Sequence, residues 1–171
     1  MPPLQPLCLY DDADPARWIG REVGISSWHT IDQEMINGFG RVTKDWDKMH
    51  VDPEWCHAHS PLGTPISFGF LTVSLLTVML NECHIRPHDE VATFNYGFNR
   101  LRIVSPVRVG SRVRGHFTLQ DIAARQPCRY QATYAVTVEI EGEDKPALVA
   151  EWLLVTDTAK PRAKLDARIA A

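Results

Sequence analysis

The amino-acid sequence predicts an α+β fold in which an antiparallel sheet wraps around one long central helix. A run from Ser60 to Asn81 contains no charged residue, which indicates a buried helix. From Glu90 onward apolar and polar side chains alternate, as they do in antiparallel strands with one buried face. A β-branched and aromatic segment, Arg21 to Ile31, supplies one further strand ahead of the helix.

The composition is that of an ordinary soluble globular domain. The chain has 171 residues, 44% of them hydrophobic, and a net charge of −3, which argues against a disordered chain and against a nucleic-acid binder. We expect one domain over residues 1–171, with its core at about 20–156 and a polar C-terminal tail at 157–171. The first twenty residues lack the basic start and apolar stretch of a secretory signal, so we expect a cytoplasmic protein.

Two short helices are predicted ahead of the uncharged run. Asp32 is a candidate N-cap for a helix over Gln33 to Val42. A polar loop, Thr43 to Asp52, follows it. Asp52 directly before Pro53 has the pattern of an N-cap with proline at the first helical position, which predicts a short helix through Glu54 to Ala58.

The uncharged run predicts the central helix of the fold. Pro61, Gly63 and Pro65 interrupt its front, so the helix is expected over Ile66 to Leu80. That length is short for a membrane span, and hydroxyl side chains interrupt it, which favours a buried helix in a soluble core. Because the helix is apolar on nearly every face, other protein is expected to surround it.

Four strands are predicted after the helix. They are Val91 to Val104 with a bulge after Gly97, Arg112 to Leu119, Tyr130 to Ile140, and Leu148 to Leu154. The alternation is clearest in the third, where the even-numbered residues from Tyr130 onward are apolar. One long helix followed by four antiparallel strands, with an earlier strand to complete the sheet, is the arrangement of the hot-dog fold.

The polar loop holds the first candidate for chemistry. Asp45 and His50 lie five residues apart, and a carboxylate and an imidazole can together orient a water molecule and exchange protons with it. Such a pair acts by general acid–base catalysis. On spacing alone, two ordinary polar loop residues explain the pattern as well.

Three ordered blocks of the sequence resemble the MaoC-like dehydratases, the family that includes (R)-specific enoyl-CoA hydratases and NodN-type proteins. The first block is D-W-D-K-M-H-V-D, in which Asp45, His50 and Asp52 match the family's hydratase motif. The second is Ser60 to Thr72, similar to the entry into the family's central helix. The third runs from Asn95 through Arg102 and on through Pro106 to Ser111. The resemblance covers about residues 20–156.

The resemblance implies a lyase of fatty acid metabolism that hydrates a trans-2-enoyl-CoA to a 3-hydroxyacyl-CoA, or catalyses the reverse dehydration. It implies an acyl-CoA substrate, no metal or redox cofactor, no nucleic-acid or membrane partner, and a homodimer or higher homo-oligomer with the thioester site between subunits. Asp45 and His50 would act through one water molecule, and the backbone N–H of Gly69 would hold the thioester oxygen. Thr77 matches a small hydroxyl residue near the catalytic pair of (R)-hydratases.

The sequence departs from the family beside the proposed thioester oxygen. Phe68, preceded by Ser67, stands where many members carry histidine, and we expect both residues to contact substrate. The departure favours one alternative, a non-catalytic acyl-CoA-binding accessory protein. A second alternative is a hot-dog thioesterase, because such enzymes direct a carboxylate-activated water in a similar cleft at the carbonyl carbon. Gly69 is equally well explained as a packing glycine, and Thr77 as a buried threonine bonded to its own helix.

Arginines, histidines and cysteines complete the set of candidates. The arginines of the strand region, which suit CoA phosphates but are more simply polar outer-face residues, are Arg100, Arg102, Arg108, Arg112 and Arg114. The groups Cys56-His57-Ala58-His59 and Cys83-His84 with His88 lack the usual paired spacing of metal ligands, so no metal site is expected. The four cysteines, Cys8 among them, are expected to be reduced.

Overall fold

The computed structural model describes residues 15–83, 85–162 and 165. In this part of the chain, six strands form one sheet, in which every pairing is antiparallel and the order is β1-β4-β5-β6-β3 with β2 also paired to β4. The strands are β1 (Glu22–Ile25), β2 (His29–Thr30), β3 (Glu90–Ile103), β4 (Arg112–Gln126), β5 (Arg129–Ile140) and β6 (Leu148–Thr158). The α-helices are α1 (Gln33–Thr43), α2 (Lys48–Val51), α3 (Pro53–His59) and α4 (Gly69–Glu82).

The first predicted strand, Arg21 to Ile31, is divided into β1 and β2. Ser26 remains hydrogen-bonded to β4, because its N–H donates to the Gly115 carbonyl at 2.9 Å. Ser27 leaves the sheet, since its N–H and its hydroxyl both donate to the Glu82 carboxylate at the end of α4, at 2.9 and 2.6 Å. A hydrogen bond to the central helix therefore interrupts the strand.

The predicted caps are confirmed, and one helix was missed. The Asp32 carboxylate accepts from the N–H of Met35 at 2.7 Å, and that of Asp52 accepts from the N–H of Trp55 at 2.9 Å. The segment predicted as a loop contains α2, whose first turn is capped by Asp47 accepting from the N–H of Met49 at 2.9 Å. An aspartate followed by only four helical residues has too short a pattern for a sequence prediction.

The central helix α4 begins at Gly69, three residues later than predicted. Ile66 instead forms a β-bridge with Arg108, and the N–H of Ser67 donates to the Val107 carbonyl at 2.7 Å. No helix of the described residues is long and apolar enough to cross a membrane.

Only part of the surface of α4 is enclosed by the same chain. Its buried residues are Leu71, Thr72, Leu76, Met79 and Leu80. The opposite stripe is open, with Phe70 68% and Val78 40% exposed. The prediction that protein surrounds the whole helix therefore holds, within the described chain, for one face.

The core lies between α4 and the inner face of the sheet. The predicted alternation is confirmed: Val113, Phe117 and Leu119 of β4 are fully buried, as are the alternate residues of β5 from Tyr130 onward. The edge strand β3 carries three register shifts that leave Val91, Tyr96 and Asn99 unpaired, so the predicted bulge after Gly97 is present and two others precede it.

The sheet also extends further toward the C-terminus than predicted, because Asp157 and Thr158 belong to β6. Arg162 then folds back, and its N–H donates to the hydroxyl of the buried Tyr130 at 2.6 Å. Beyond Arg162 only the buried Leu165 is described, so the rest of the predicted tail, like Cys8 and His84, lies outside the described residues.

Candidate active site

A cavity of about 330 Å³ opens where α2, the start of α4 and the β3–β4 connection meet. Its lining consists of His50, Ile66, Ser67, Gly69, Thr72 and the segment 103–107. Three of the residues predicted from the sequence, His50, Ser67 and Gly69, are therefore brought together.

A short extended segment, Pro65–Ser67, fixes the position of this cavity. On one side the N–H of Ile66 donates to the carbonyl of Met49 in α2, at 3.2 Å. On the other side, the N–H of Ser67 donates to the Val107 carbonyl in the β3–β4 connection. The N–H of Val109 in the same connection donates to the Pro65 carbonyl at 3.0 Å. Main-chain hydrogen bonds thus hold α2, the β3–β4 connection and the start of α4 in one arrangement.

The imidazole of His50 is held in a defined orientation. Its Nδ1 lies 2.7 Å from the carbonyl oxygen of Ile66. Because a carbonyl oxygen only accepts, Nδ1 carries the hydrogen, and Nε2 is the basic nitrogen of the neutral ring. The backbone of the same residue is also fixed, since the side-chain amide of Gln33 donates to the His50 carbonyl at 2.8 Å.

Phe68 supports His50 from behind and is absent from the cavity lining among the described residues. Its ring is 5% exposed and packs against the ring of His50, with centroids 3.9 Å apart, and against that of Phe39 at 5.3 Å. Gly40 permits close packing here, because a Cβ there would lie 2.8 Å from the Asp45 carbonyl oxygen and 3.3 Å from Phe68 Cζ. The structure therefore places this predicted substrate contact in the core.

Gly69 is the first residue of α4, and both of its predicted roles have a structural basis. A side chain there would collide with Cδ1 of Ile103, so the missing Cβ permits close packing against β3. The N-cap residue Phe68 provides no side-chain hydrogen bond to the first turn. Because the first N–H groups of a helix have no internal partner and lie at the positive end of its dipole, this position suits a developing negative charge.

The structure separates Asp45 and Thr77 from the cavity. Asp45 is exposed, and its carboxylate accepts from the N–H of Asp47 at 3.2 Å; no hydrogen bond joins it to His50 in the described chain. Thr77 is half-buried and is not part of the described lining. The threonine that does line the cavity is Thr72, which sequence analysis missed although its i+3 spacing from Gly69 places both on one helix face.

The predicted arginine cluster divides into paired and unpaired members. Arg112 and Arg114 form ion pairs with Glu141 and Glu139, at 2.8 and 2.6 Å. The described residues supply no ion pair for the other three, Arg100, Arg102 and Arg108. Arg108 borders a second cavity that shares Ser105 and Pro106 with the first, but the acidic Glu143 and Asp144 also line it.

Cysteine and histidine side chains near the site have structural contacts. The fully buried thiol of Cys56 donates to the Lys48 and Met49 carbonyls of α2, and burial raises the pKa of that thiol. The ring of His59 stacks on that of Trp55 at 5.3 Å. Across the described part of the chain, no three His, Cys, Asp or Glu side chains are grouped so that they could hold a metal ion.

An antiparallel sheet wrapped around one long helix, with a histidine-lined cavity at the helix N-terminus, defines a protein of the hot-dog class. The chain belongs to the MaoC-like domain family, whose model matches residues 15–140. This confirms the predicted family and fold.

Curated relatives share much of the sequence. Nodulation protein N of Rhizobium meliloti (strain 1021) is 46% identical over 143 residues, which are 84% of this chain and 89% of that protein. The 3-hydroxyacyl-thioester dehydratase Z of Mycobacterium tuberculosis strain H37Rv is 43% identical over 142 residues, 83% of this chain and 93% of that protein.

Solved structures share the fold at lower sequence identity. The monoamine oxidase regulatory protein from Archaeoglobus superimposes with a TM-score of 0.69 at 19% identity, over 82% of this chain and 91% of that one. The (R)-hydratase from A. caviae involved in PHA biosynthesis gives a TM-score of 0.62 at 18% identity, over 80% of this chain and 94% of that one.

Proposed function

We propose that this protein is a hydro-lyase that adds water to a trans-2-enoyl-CoA to give the (R)-3-hydroxyacyl-CoA, or removes it in the reverse direction. The observation that carries the proposal is the orientation of His50, whose Nδ1 is bonded to Ile66 while the cavity also contains the start of α4. A relative with 43% identity that is named a 3-hydroxyacyl-thioester dehydratase supports the same chemistry.

In the proposed reaction the water oxygen bonds to C3, a proton is added at C2, and the double bond between them becomes single. The nitrogen of His50 that takes up and gives up a proton in this reaction is Nε2, because Nδ1 is already bonded to the Ile66 carbonyl oxygen. Asp45 lies outside the described cavity lining and has no hydrogen bond to His50 in the described chain, so in this proposal it acts on the same water molecule from the loop that precedes α2. The N–H of Gly69 would stabilise the thioester oxygen as negative charge develops on it. The proposal needs no metal or redox cofactor.

We also propose that the protein works as a homodimer. Strand β3 is an edge of the sheet, and it exposes Phe94, Tyr96 and Phe98 to extents of 49%, 57% and 36%. Phe70 and Val78 expose a further apolar stripe on α4. A second copy of the chain paired along β3 would cover this edge and remove an aggregation hazard. Analytical ultracentrifugation tests this directly, and a monomer at micromolar concentration would contradict it.

The activity is tested by following the loss of enoyl absorbance with crotonyl-CoA and with a longer trans-2-enoyl-CoA, beside an assay for free thiol. The variants are Asp45→Asn and His50→Ala, with His57→Ala as an exposed control. Loss of enoyl absorbance without thiol release, strongly reduced in the first two variants and unchanged in the control, supports the proposal. Thiol release would instead indicate a thioesterase, and binding of acyl-CoA without any turnover would indicate an accessory protein.

A further inference from the structure

Thr72 lines the candidate cavity, and its hydroxyl has no hydrogen-bond partner among the described residues. The residue is 3% exposed. Helical hydroxyl groups usually bond to the carbonyl four residues earlier, and two others in this chain do so: Thr43 donates to Phe39 and Ser74 to Phe70, each at 2.8 Å. Among the described residues, neither Thr72 nor Thr77 of α4 makes such a bond, and of the two only Thr72 lines the cavity.

The expected acceptor of Thr72 is already occupied. The carbonyl oxygen of Phe68 accepts from the N–H groups of Leu71 and Thr72, at 3.1 and 3.3 Å, and from the hydroxyl of Ser67 at 3.2 Å. A carbonyl oxygen has two lone pairs, so no capacity is left for a fourth donor. The Thr72 hydroxyl is not among the fully buried, unpartnered side-chain atoms of the described residues, so it is open to the cavity and its donor is available to whatever occupies that space.

The geometry of a helix aims this hydroxyl toward Gly69. Residues i and i+3 lie on one face, and side chains lean toward the N-terminus of the helix, so the Thr72 side chain extends over the turn that begins at Gly69. Both residues line the same cavity. The Thr72 side chain and the first N–H of α4 therefore lie on the same side of the start of the helix.

We propose that Thr72 is a second hydrogen-bond donor to the thioester oxygen, acting together with the N–H of Gly69. This inference rests on the proposed function and assigns the substrate contact to Thr72 in place of Thr77. Negative charge grows on that oxygen as water adds at C3, or as the C2 proton leaves in the reverse direction. Two fixed donors stabilise this developing charge more than they stabilise the ground-state carbonyl, so the hydroxyl raises kcat more than it lowers KM.

The kinetic test compares Thr72→Val, which removes the hydroxyl at nearly constant shape, with Thr72→Ser, which keeps it. Thr43→Val is the matched control, because it removes an exposed hydroxyl that is bonded within its own helix. We expect kcat of the valine variant to fall on the order of 100-fold with KM changed only a few fold. The serine variant should keep most of the activity, and the control all of it. Equal losses in the valine and serine variants, or a valine variant within twofold of the parent, would overturn the proposal.

A spectroscopic measurement tests the hydrogen bond without turnover. Butyryl-CoA with a ¹³C carbonyl cannot be hydrated, and hydrogen bonds to its oxygen lower the frequency of the carbonyl stretch in the infrared. We expect a clear shift on binding to the parent protein and to Thr72→Ser, and a smaller one in Thr72→Val and Thr72→Ala. A protein that shows this pattern but hydrates no enoyl-CoA would refute the proposed function alone. An equal shift in all variants, or failure of both hydroxyl-free variants to fold, would overturn the role of Thr72.

Discussion

Nδ1 of His50 donates to the carbonyl oxygen of Ile66 at 2.7 Å, so the candidate base is tied to the residue three positions ahead of the central helix. The bond fixes the tautomer as well as the orientation of the ring. We therefore expect NMR of ¹⁵N-labelled protein to show neutral His50 with its proton on Nδ1 and with Nε2 bare. A proton on Nε2 in the neutral ring would contradict the bond and remove the base from the proposed mechanism.

A methyl group at position 69 should destabilise the fold through one identifiable contact. In Gly69→Ala the new Cβ would collide with Cδ1 of Ile103, and overpacking of this kind costs about 1–3 kcal/mol of the free energy of unfolding. Ile103→Val removes that Cδ1, so the double variant should regain part of the loss in urea denaturation.

Gly38→Ala is the control for that experiment. Gly38 lies in α1, and no atom lies within 4 Å of the place that an added methyl group would take, so alanine should leave the stability unchanged or raise it by up to about 1 kcal/mol. If the two single variants behaved alike, the contact with Ile103 would not be the cause.

The ion pair between Arg162 and Asp89 holds the segment after β6. It should make the free energy of unfolding depend on pH in the acid range. Hydrogen bonds from Arg162 hold the pKa of the Asp89 carboxyl below its ordinary value, against the opposing effect of burial. A lowered pKa in the folded state means that the stabilisation is complete above the unfolded pKa and is lost as the pH falls through the folded one. Asp89→Asn should cost roughly 1.5–3 kcal/mol at neutral pH and should flatten the acid limb of the stability profile. An acid limb that is unchanged in Asp89→Asn would contradict the role of this ion pair.

The thiol of Cys83 should resist alkylation. Burial, with a smaller contribution from the Glu82 and Glu22 carboxylates, raises the pKa of this thiol to about 11. Only the thiolate reacts, so at pH 8 iodoacetamide should modify Cys83 roughly 100-fold more slowly than an exposed cysteine of ordinary pKa. Peptide mass spectrometry after timed labelling measures the rate, and rapid labelling of native protein would show that the thiol is open.

Local patterns predicted most of the secondary structure, because the residues that define it are neighbours in sequence. Asp32 and Asp52 cap the helices predicted for them, and the alternation from Tyr130 to Ile140 gives the buried face of β5. The break at Ser27 was not predictable in this way, because its cause is a carboxylate 55 residues away. The cytoplasmic location and the roles of the site residues stay predictions.

The candidate site shows the same limit of sequence analysis. The blocks of resemblance included His50, Ser67 and Gly69, which the fold brings to one cavity. They also led to Phe68 and Thr77 as substrate contacts, although Phe68 packs behind His50 and the threonine that lines the cavity is Thr72. Whether a side chain faces the cavity or the core depends on where α4 begins, and that start is set by main-chain pairing with residues 107–109.

The segment Pro65–Ser67 is held in place by hydrogen bonds between main-chain atoms, and this affects which positions of the cavity can be substituted. Its bonds to Met49, Val107 and Val109 involve only N–H and carbonyl groups, which every residue except proline provides in full. Side chains of the cavity wall, such as Val104 and Val107, can therefore be exchanged while His50 and the start of α4 keep their places. Under the proposed function, the reactive groups and the side chains that would contact an acyl chain are thus separable, so we expect single substitutions in the wall to change the chain-length preference.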